Sequence, residues 1–238
     1  MKFVLDTHSH TLASGHAYST VKELVEQAAS IGLELLAITD HAPAMPGSTH
    51  PFYFGNVSAI PSKINGVEIL KGVEANILNV QGEIDMETTL LEALDLVIAS
   101  FHPPCYKAGT KEENTHAMIE TMKNPYVHII GHPDDSRFPL DYETIVKAAK
   151  KYGVLLEVNS SSLRPDHFRQ GARENISTYI SYCKKYRAPI TVGSDAHFYT
   201  DVGNLQRAYD LLQELEMPEE LIANTSVERL KQYLKRKK

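Results

Sequence analysis

The 238-residue sequence has only two cysteines, no long apolar run and no excess of positive charge. Cys105 and Cys183 match no zinc-binding or disulfide framework, and so sparse a use of cysteine suits a reducing cytoplasm. No apolar stretch reaches the length of a membrane span. Asp6 interrupts the first apolar run after three residues, which argues against a secretory signal. We therefore expect a cytoplasmic protein with no membrane-spanning segment.

The formal net charge is −6 with histidine neutral, and this argues against a general nucleic-acid or anionic-membrane surface. An anionic small substrate stays compatible with this charge, because bound metal ions would reverse its sign locally. Apolar residues make up 42% and charged residues 23% of the chain, which is typical of a globular protein. The length suits one α/β domain, so a single domain over residues 1–238 is expected. The basic run at 235–238 is predicted to be a solvated helix end.

Short apolar segments alternate with helical patterns along the chain at intervals of roughly 30 residues, the length of a βα unit. Strands are predicted at 3–5, 35–39, 68–73, 96–100, 127–130, 154–158 and 190–192. Helices are predicted at 20–31, 87–94, 115–123, 141–152, 173–186, 204–215 and 226–234. Residues 42–55 are rich in proline, glycine and serine and are predicted to form a long loop over a site. The pattern favours a parallel α/β fold closed as a distorted (β/α)7 barrel. An open doubly wound sheet is the alternative, but no glycine-rich phosphate loop follows the first strand.

Six of the seven predicted strands end in side chains that can bind a metal. His8 and His10 are two residues apart, as are Asp195 and His197, so each pair leaves extended backbone on one face. The full set is His8, His10, His16, His41, Glu74, His102, His132, Asp195 and His197. In a parallel barrel all strand carboxyl ends lie on one face, so these residues are expected to meet there. Imidazole and carboxylate without thiolate suit Zn²⁺, Mn²⁺ or Fe²⁺ in an open catalytic site.

These residues also carry a family resemblance. The motifs are His-x-His with a following histidine at 8, 10 and 16, Thr-Asp-His at 39–41 and Gly-Val-Glu at 72–74. They continue with Ser-Phe-His at 100–102, Gly-His-Pro at 131–133 and Gly-Ser-Asp-Ala-His at 193–197. The chain resembles the PHP (polymerase and histidinol phosphatase) superfamily over its whole length, and within it the YcdX-like phosphatases most closely. The resemblance implies a distorted seven-stranded barrel with a trinuclear metal centre, usually zinc.

The resemblance also implies how the nine residues are shared among the ions. The first ion would take His8, His10, Glu74 and Asp195. The second would take Glu74, His102 and His132, with Glu74 bridging the pair, and the third would take His16, His41 and His197. Three divalent ions and two carboxylates leave a charge of roughly +4, which suits a phosphate ester. The expected reaction is hydrolysis of a small-molecule phosphomonoester by a hydroxide that the metals activate.

Four further residues are candidates for supporting roles. Asp6 and Asp40 could accept hydrogen bonds from histidine N–H groups, although backbone capping or solvation fits them equally well. Arg164 and Arg169, after the sixth predicted strand, could clamp a phosphate, although solvated loop arginines are more common.

Three functions remain compatible with the sequence. The first is a phosphomonoesterase with broad substrate choice, and the second is a histidinol-phosphate phosphatase. The third is a PHP-type nuclease or a nucleic-acid-associated metal-binding module, which the acidic net charge makes a weaker alternative. Assembly into a homo-oligomer through exposed barrel helices is a further expectation from the resemblance.

Overall fold

A computed structural model describes residues 1–235 of the chain, so all but Lys235 of the basic run at 235–238 lies outside the described residues. The strands are β1 (Leu5–Asp6), β2 (Leu35–Ile38), β3 (Lys63–Ile64), β4 (Val67–Asn76), β5 (Leu96–Ser100), β6 (Ile129–Ile130), β7 (Leu155–Asn159) and β8 (Ile190–Gly193). Seven of them form one parallel sheet in the order β1-β2-β4-β5-β6-β7-β8, and the short β3 pairs antiparallel with β4. The sheet is nearly closed and helices surround it, which confirms the predicted distorted α/β barrel.

The helices are α1 (Val21–Ser30), α2 (Pro51–Gly55), α3 (Thr88–Leu91), α4 (Lys111–Lys123), α5 (Tyr142–Tyr152), α6 (Ala172–Tyr186), α7 (Gln206–Glu214) and α8 (Val227–Leu234). Three differ clearly from expectation, and one of them is α3, which ends three residues before the predicted end at 94. Helix α2 lies inside the predicted loop at 42–55, and α4 begins four residues before the predicted start at 115. The early start of α4 has a local cause, because Thr110 and Glu113 form a capping box that satisfies its first backbone N–H groups. None of the described helices has the length and hydropathy of a membrane span.

The barrel interior is filled by apolar side chains from the strands and from the C-terminal part of the chain. Leu5, Leu35, Leu96 and Leu155, each the first residue of its strand, are fully buried in one cluster. Residues of α8 belong to the same cluster, so this helix covers the amino ends of the strands. The opposite end, where the strands finish, is left for polar side chains.

Side chains join the first and last strands: the Thr7 hydroxyl donates to the Val192 carbonyl (3.1 Å), and Asn224 makes further contacts with both strands. Its Nδ2 donates hydrogen bonds to the carbonyl oxygens of Leu5 (3.1 Å) and Val192 (2.7 Å), and its Oδ1 accepts one from the Val192 N–H (2.7 Å). Nearer the carboxyl ends, Ser9 and Ala196 form an isolated parallel bridge. The Asn224 amide therefore takes the place of a missing rung between β1 and β8.

Replacing Asn224 by alanine is expected to lower the free energy of unfolding by about 3 kcal/mol, because several buried backbone groups lose their partners at once. Urea unfolding followed by circular dichroism would measure the change. Asn56→Ala is the matched control, since Asn56 is exposed and makes no side-chain capping bond. Equal stability of the two variants would contradict this role for Asn224.

Candidate metal centre

The structure brings all nine predicted ligand residues together at the carboxyl ends of the parallel strands. Seven of them are buried, His197 is partly buried and His16 is exposed. They are His8, His10, His16, His41, Glu74, His102, His132, Asp195 and His197. The topology explains the convergence, because parallel strands present all their carboxyl ends on one face.

Glu74, on β4, lies at the middle of the group. Its Oε1 is 2.9 Å from His132 Nε2 and 3.2 Å from His102 Nε2. Its Oε2 faces three other imidazole nitrogens: His41 Nδ1 at 2.8 Å, His8 Nε2 at 3.4 Å and His10 Nε2 at 3.6 Å. Burial by itself raises the pKa of the Glu74 carboxyl, but the surrounding histidines outweigh burial and hold that pKa well below its usual value. The two oxygens of one carboxylate thus face different sets of histidines.

Asp195 follows β8 and is the second carboxylate of the centre. Its Oδ1 lies 3.2 Å from His10 Nε2 and 3.6 Å from His8 Nε2, while its Oδ2 lies 2.9 Å from Nη2 of Arg169. Its φ angle is +55°, in the left-handed region that aspartate tolerates better than most residues. The local backbone therefore turns sharply to aim this carboxylate at the histidines.

Several atoms of the centre are buried and, although oppositely charged groups lie close to them, make no contact with the geometry of a hydrogen bond among the described residues. They are Nε2 of His8, Nε2 of His10, Nδ1 of His41, Nε2 of His102 and Oε2 of Glu74. Leaving a polar atom buried and unpaired costs about 1–3 kcal/mol, so five in one place need an explanation. Divalent cations are the natural partners of imidazole nitrogens and carboxylate oxygens that converge in this way. The residues present therefore fit a metal centre.

The ligand atoms form three compact groups, each with its atoms within 4.8 Å of one another. The groups are His8–His10–Glu74, His41–Glu74–His102 and His10–His41–His197. They overlap with the three sets that the resemblance implies but divide the residues differently. His16 stays close to the third group, because its ring centroid lies 4.8 Å from that of His41 and 4.9 Å from that of His197. The allocation of residues to individual ions stays a prediction.

Three of the imidazoles are held in the neutral form that binds metals. Burial is the main cause and lowers the pKa values of His10 and His102, and it lowers that of His16 to about 4. Burial acts in the same direction on His8, but the carboxylates of Glu157, Glu74 and Asp195 raise its pKa well above the usual value. His8 therefore lies beside three carboxylates, whose negative charge also suits a cation.

Glu157 supports the centre and was missed by the sequence reasoning. It lies fully buried on β7, with Oε1 2.7 Å from His8 Nδ1. Its Oε2 accepts hydrogen bonds from the backbone N–H of His132 (2.8 Å) and from Nδ2 of Asn159 (3.2 Å). A carboxylate on the far ring nitrogen orients an imidazole and raises its basicity toward a metal. The available signal was a single acid inside an otherwise buried strand.

Asn76, at the end of β4, orients the ring of His102 in a similar way. Its Oδ1 lies 2.7 Å from His102 Nδ1, and its Nδ2 donates to Oδ2 of Asp85 (2.6 Å) and to the Ala42 carbonyl (3.2 Å). The two acceptors fix the amide so that its oxygen faces the ring. His102 therefore donates from Nδ1 and leaves Nε2 free toward Glu74.

Within residues 1–235, the Asp40 carboxylate reaches an imidazole only through another side chain. Its carboxylate accepts hydrogen bonds from the Thr11 N–H (2.7 Å), the Ser14 hydroxyl (2.7 Å) and the Tyr53 hydroxyl (2.7 Å). The Ser14 oxygen in turn lies 3.1 Å from His10 Nδ1. Because Tyr53 belongs to α2, this carboxylate also ties the segment at 42–55 to the centre.

Asp6 does not contact a histidine ring among the described residues. Its carboxylate instead accepts hydrogen bonds from the backbone N–H groups of His8 (3.3 Å), Ser194 (3.0 Å) and Gly203 (2.9 Å). These N–H groups lie outside the strands, so they have no carbonyl partner from the β-sheet and need another acceptor. Backbone capping, one of the two alternatives, is therefore what the structure shows for Asp6.

The two candidate arginines differ in environment. Arg169 is buried, with Nη2 on Asp195 and Nη1 2.9 Å from the Ser162 hydroxyl. Arg164 is exposed and pairs with Asp166 (3.3 Å) and Asp201 (3.6 Å). Both line a pocket of about 720 Å³ whose floor includes His41, His102 and Asp195. This volume is typical of small-molecule sites. A phosphate clamp by these arginines stays a prediction.

Comparison with known proteins agrees with this geometry. A probable phosphatase of Acetivibrio thermocellus is 50% identical over 238 residues, which cover 100% of this chain and 98% of the relative. A probable phosphatase of Caldanaerobacter subterraneus subsp. tengcongensis is 48% identical over 239 residues, covering 100% of this chain and 93% of that protein.

Solved structures share the fold at low identity. The histidinol phosphate phosphatase of Lactococcus lactis, crystallised with zinc, L-histidinol and phosphate, superposes with a TM-score of 0.61 at 19% identity, covering 90% of this chain and 94% of that one. The putative histidinol phosphatase of Listeria monocytogenes gives 0.62 at 18% identity, covering 86% and 99%. The family model described as the PHP domain matches residues 6–236. The family prediction from the sequence is confirmed: this chain belongs to the PHP domain family.

Proposed function

We propose that this protein is a metal-dependent phosphatase that hydrolyses small-molecule phosphomonoesters at a centre for three divalent ions, with zinc favoured over manganese or iron. The observation that carries the proposal is the set of unpartnered, buried imidazole and carboxylate atoms in the centre, of which His41 and His102 also line the pocket. The names of the relatives support the reaction, and the zinc and phosphate of the Lactococcus lactis structure support the ligand chemistry.

The residues that would hold the ions are His8, His10, His16, His41, Glu74, His102, His132, Asp195 and His197. When bound, the ions supply positive charge and Lewis acidity that activate water for attack on phosphorus. The protein's own residues hold the metal-binding atoms in position. Glu74 faces histidines with both oxygens, so it is the residue suited to join two ions. Glu157 and Asn76 hold the far ring nitrogens of His8 and His102, which keeps the metal-facing nitrogens aligned.

The pocket walls bind and orient the ester. Arg164 is exposed at the pocket and pairs with Asp166 and Asp201, but its guanidinium has five N–H donors and can still donate one of them to a phosphoryl oxygen. Arg169 is already bonded to Asp195, so its main role is to fix the orientation of that carboxylate. Its buried guanidinium also adds positive charge beside the floor, where the phosphate would lie.

Phosphate release from an aryl phosphate is expected to need metal. Protein reconstituted with zinc or manganese should hydrolyse 4-nitrophenyl phosphate, and excess EDTA should reduce the rate by more than about a hundredfold, since the reaction depends on the ions. Re-addition of metal should restore turnover, and elemental analysis should find three ions per chain. No release by protein shown to contain its ions would contradict the proposal. A panel with histidinol phosphate, sugar phosphates and nucleotides would then separate a histidinol-phosphate phosphatase from a broader enzyme.

A further inference from the structure

The mouth of the pocket, lined by segments 45–46, 103–104, 135–137 and 161–169, has an apolar side. Met45, Pro46, Pro103 and Pro104 line it there, close to where the chain leaves the floor at His41 and His102. Such residues offer no hydrogen-bonding side chain to a sugar or a second phosphate. The part of a substrate that lies beyond the phosphate therefore meets an apolar wall.

The charged groups at the mouth balance one another. Arg137 Nε lies 2.8 Å from Oδ2 of Asp135, and Arg164 is paired with Asp166 and Asp201. Each of these arginines already has a carboxylate partner, and the third pocket arginine is bonded to a predicted metal ligand. The mouth thus has no surplus positive charge for a second anionic group, in contrast to the floor.

Phe168 is the unusual residue of the segment at 161–169. It is 63% exposed although it lines the pocket. Its ring is nevertheless fixed: the guanidinium carbons of Arg137 and Arg169 lie 5.1 and 5.3 Å from the ring centroid, and the His167 ring stacks on it at 4.4 Å. An aromatic ring that is held in place and still open to a pocket can stack on a ligand at small entropic cost.

We propose that this mouth is a leaving-group subsite for an uncharged aromatic or heteroaromatic group, with Phe168 as its specificity-determining residue. The preferred substrates are then monophosphate esters of benzyl-like alcohols, and bisphosphates are disfavoured. The inference rests on the proposed function for its substrate assignment, and it extends that function from phosphate esters in general to one class of leaving group.

The test measures the binding of phosphonates, which does not depend on whether the protein hydrolyses phosphate esters. Isothermal titration calorimetry on the metal-loaded protein should show benzylphosphonate binding about fivefold more tightly than cyclohexylmethylphosphonate, which has similar size without an aromatic ring. Phe168→Ala and Phe168→Leu should both remove this preference, and Phe168→Tyr should keep it. A 4-carboxy group on the benzyl ring should weaken binding, because the mouth has no unpaired cation to meet it.

The following controls distinguish failure of the aromatic subsite from failure of the proposed phosphatase activity. Phe52→Ala is the matched control, since Phe52 is 81% exposed on α2 and is outside the mouth, and it should leave the preference unchanged. Binding of inorganic phosphate should be the same in all variants, which shows that the floor is intact. Equal affinities for the two phosphonates in the unmodified protein, or an unchanged preference in Phe168→Ala, would overturn the subsite. Turnover of benzyl phosphate is measured separately, and its absence beside a clear aromatic preference would overturn the phosphatase proposal alone.

Discussion

Glu74→Gln is expected to reduce phosphate release by more than about a hundredfold and to lower the metal content of the purified protein. Loss of a residue that only supports a metal ligand already costs about 10–100-fold in affinity or activity, and Glu74 faces the ligand atoms themselves. Glutamine keeps the volume of glutamate but removes the negative charge that offsets the cations. Steady-state assays with saturating zinc or manganese, together with elemental analysis, would measure both effects.

The matched control for this variant is Glu26→Gln. Glu26 lies on α1 and is 53% exposed, with one i,i+4 ion pair to Lys22, so its charge contributes little to stability. Circular dichroism should show the same fold for both variants. Near-normal turnover in Glu74→Gln with unchanged metal content would refute the shared role assigned to this carboxylate. His8→Ala is expected to abolish turnover in the same assay.

Glu157→Gln should weaken metal binding by about 10–100-fold while leaving the fold intact. The carboxylate holds Nδ1 of His8, and a glutamine amide supplies at best a neutral acceptor in its place. Since His8 is then a weaker ligand, activity should fall at limiting zinc and recover when zinc is raised. Competition with a chromogenic chelator would give the affinity directly.

Recovery by added metal separates this positioning role from a purely structural one, because a misfolded protein would not recover. Glu143→Gln, an exchange at a partly exposed side chain on α5, serves as the control and should leave zinc affinity unchanged. If Glu157→Gln bound zinc as tightly as the unmodified protein, the contact with His8 would have no part in metal binding.

The fold was largely predictable because its signals are local. Short apolar runs mark strands that are buried on both faces, and helical spacing or a capping box such as Thr20–Glu23 marks the helices between them. The errors have local causes as well. The first turn of α4 is entirely polar and so has no apolar periodicity, and α2 is too short to show any. The two-residue β3 exists only through its pairing with β4.

The metal centre was likewise predictable only in part. Eight of the nine candidate ligands stand out because they follow closely on the ends of predicted strands, and His16 lies in the loop after the first strand, so the topology alone places them together. Glu157, Asn76 and Asn224 carry no comparable signal. Each is a single polar residue whose partner is distant in sequence; Glu157 and His8, for example, are 149 positions apart. Only the three-dimensional arrangement shows what such a residue contacts.

The closure of the barrel through Asn224 also sets an order of events during synthesis. His8 and His10 leave the ribosome early, but their carboxylate partner Asp195 follows almost the whole barrel, and Asn224 later still. At about 5–20 residues per second, the first histidines wait at least about ten seconds for the last strand. The emerging chain therefore carries exposed histidines and an unpaired edge on β1 until the last strand arrives. Because the candidate ligands are complete only once His197 has been synthesised, we expect metal loading to be a late step in the maturation of this protein.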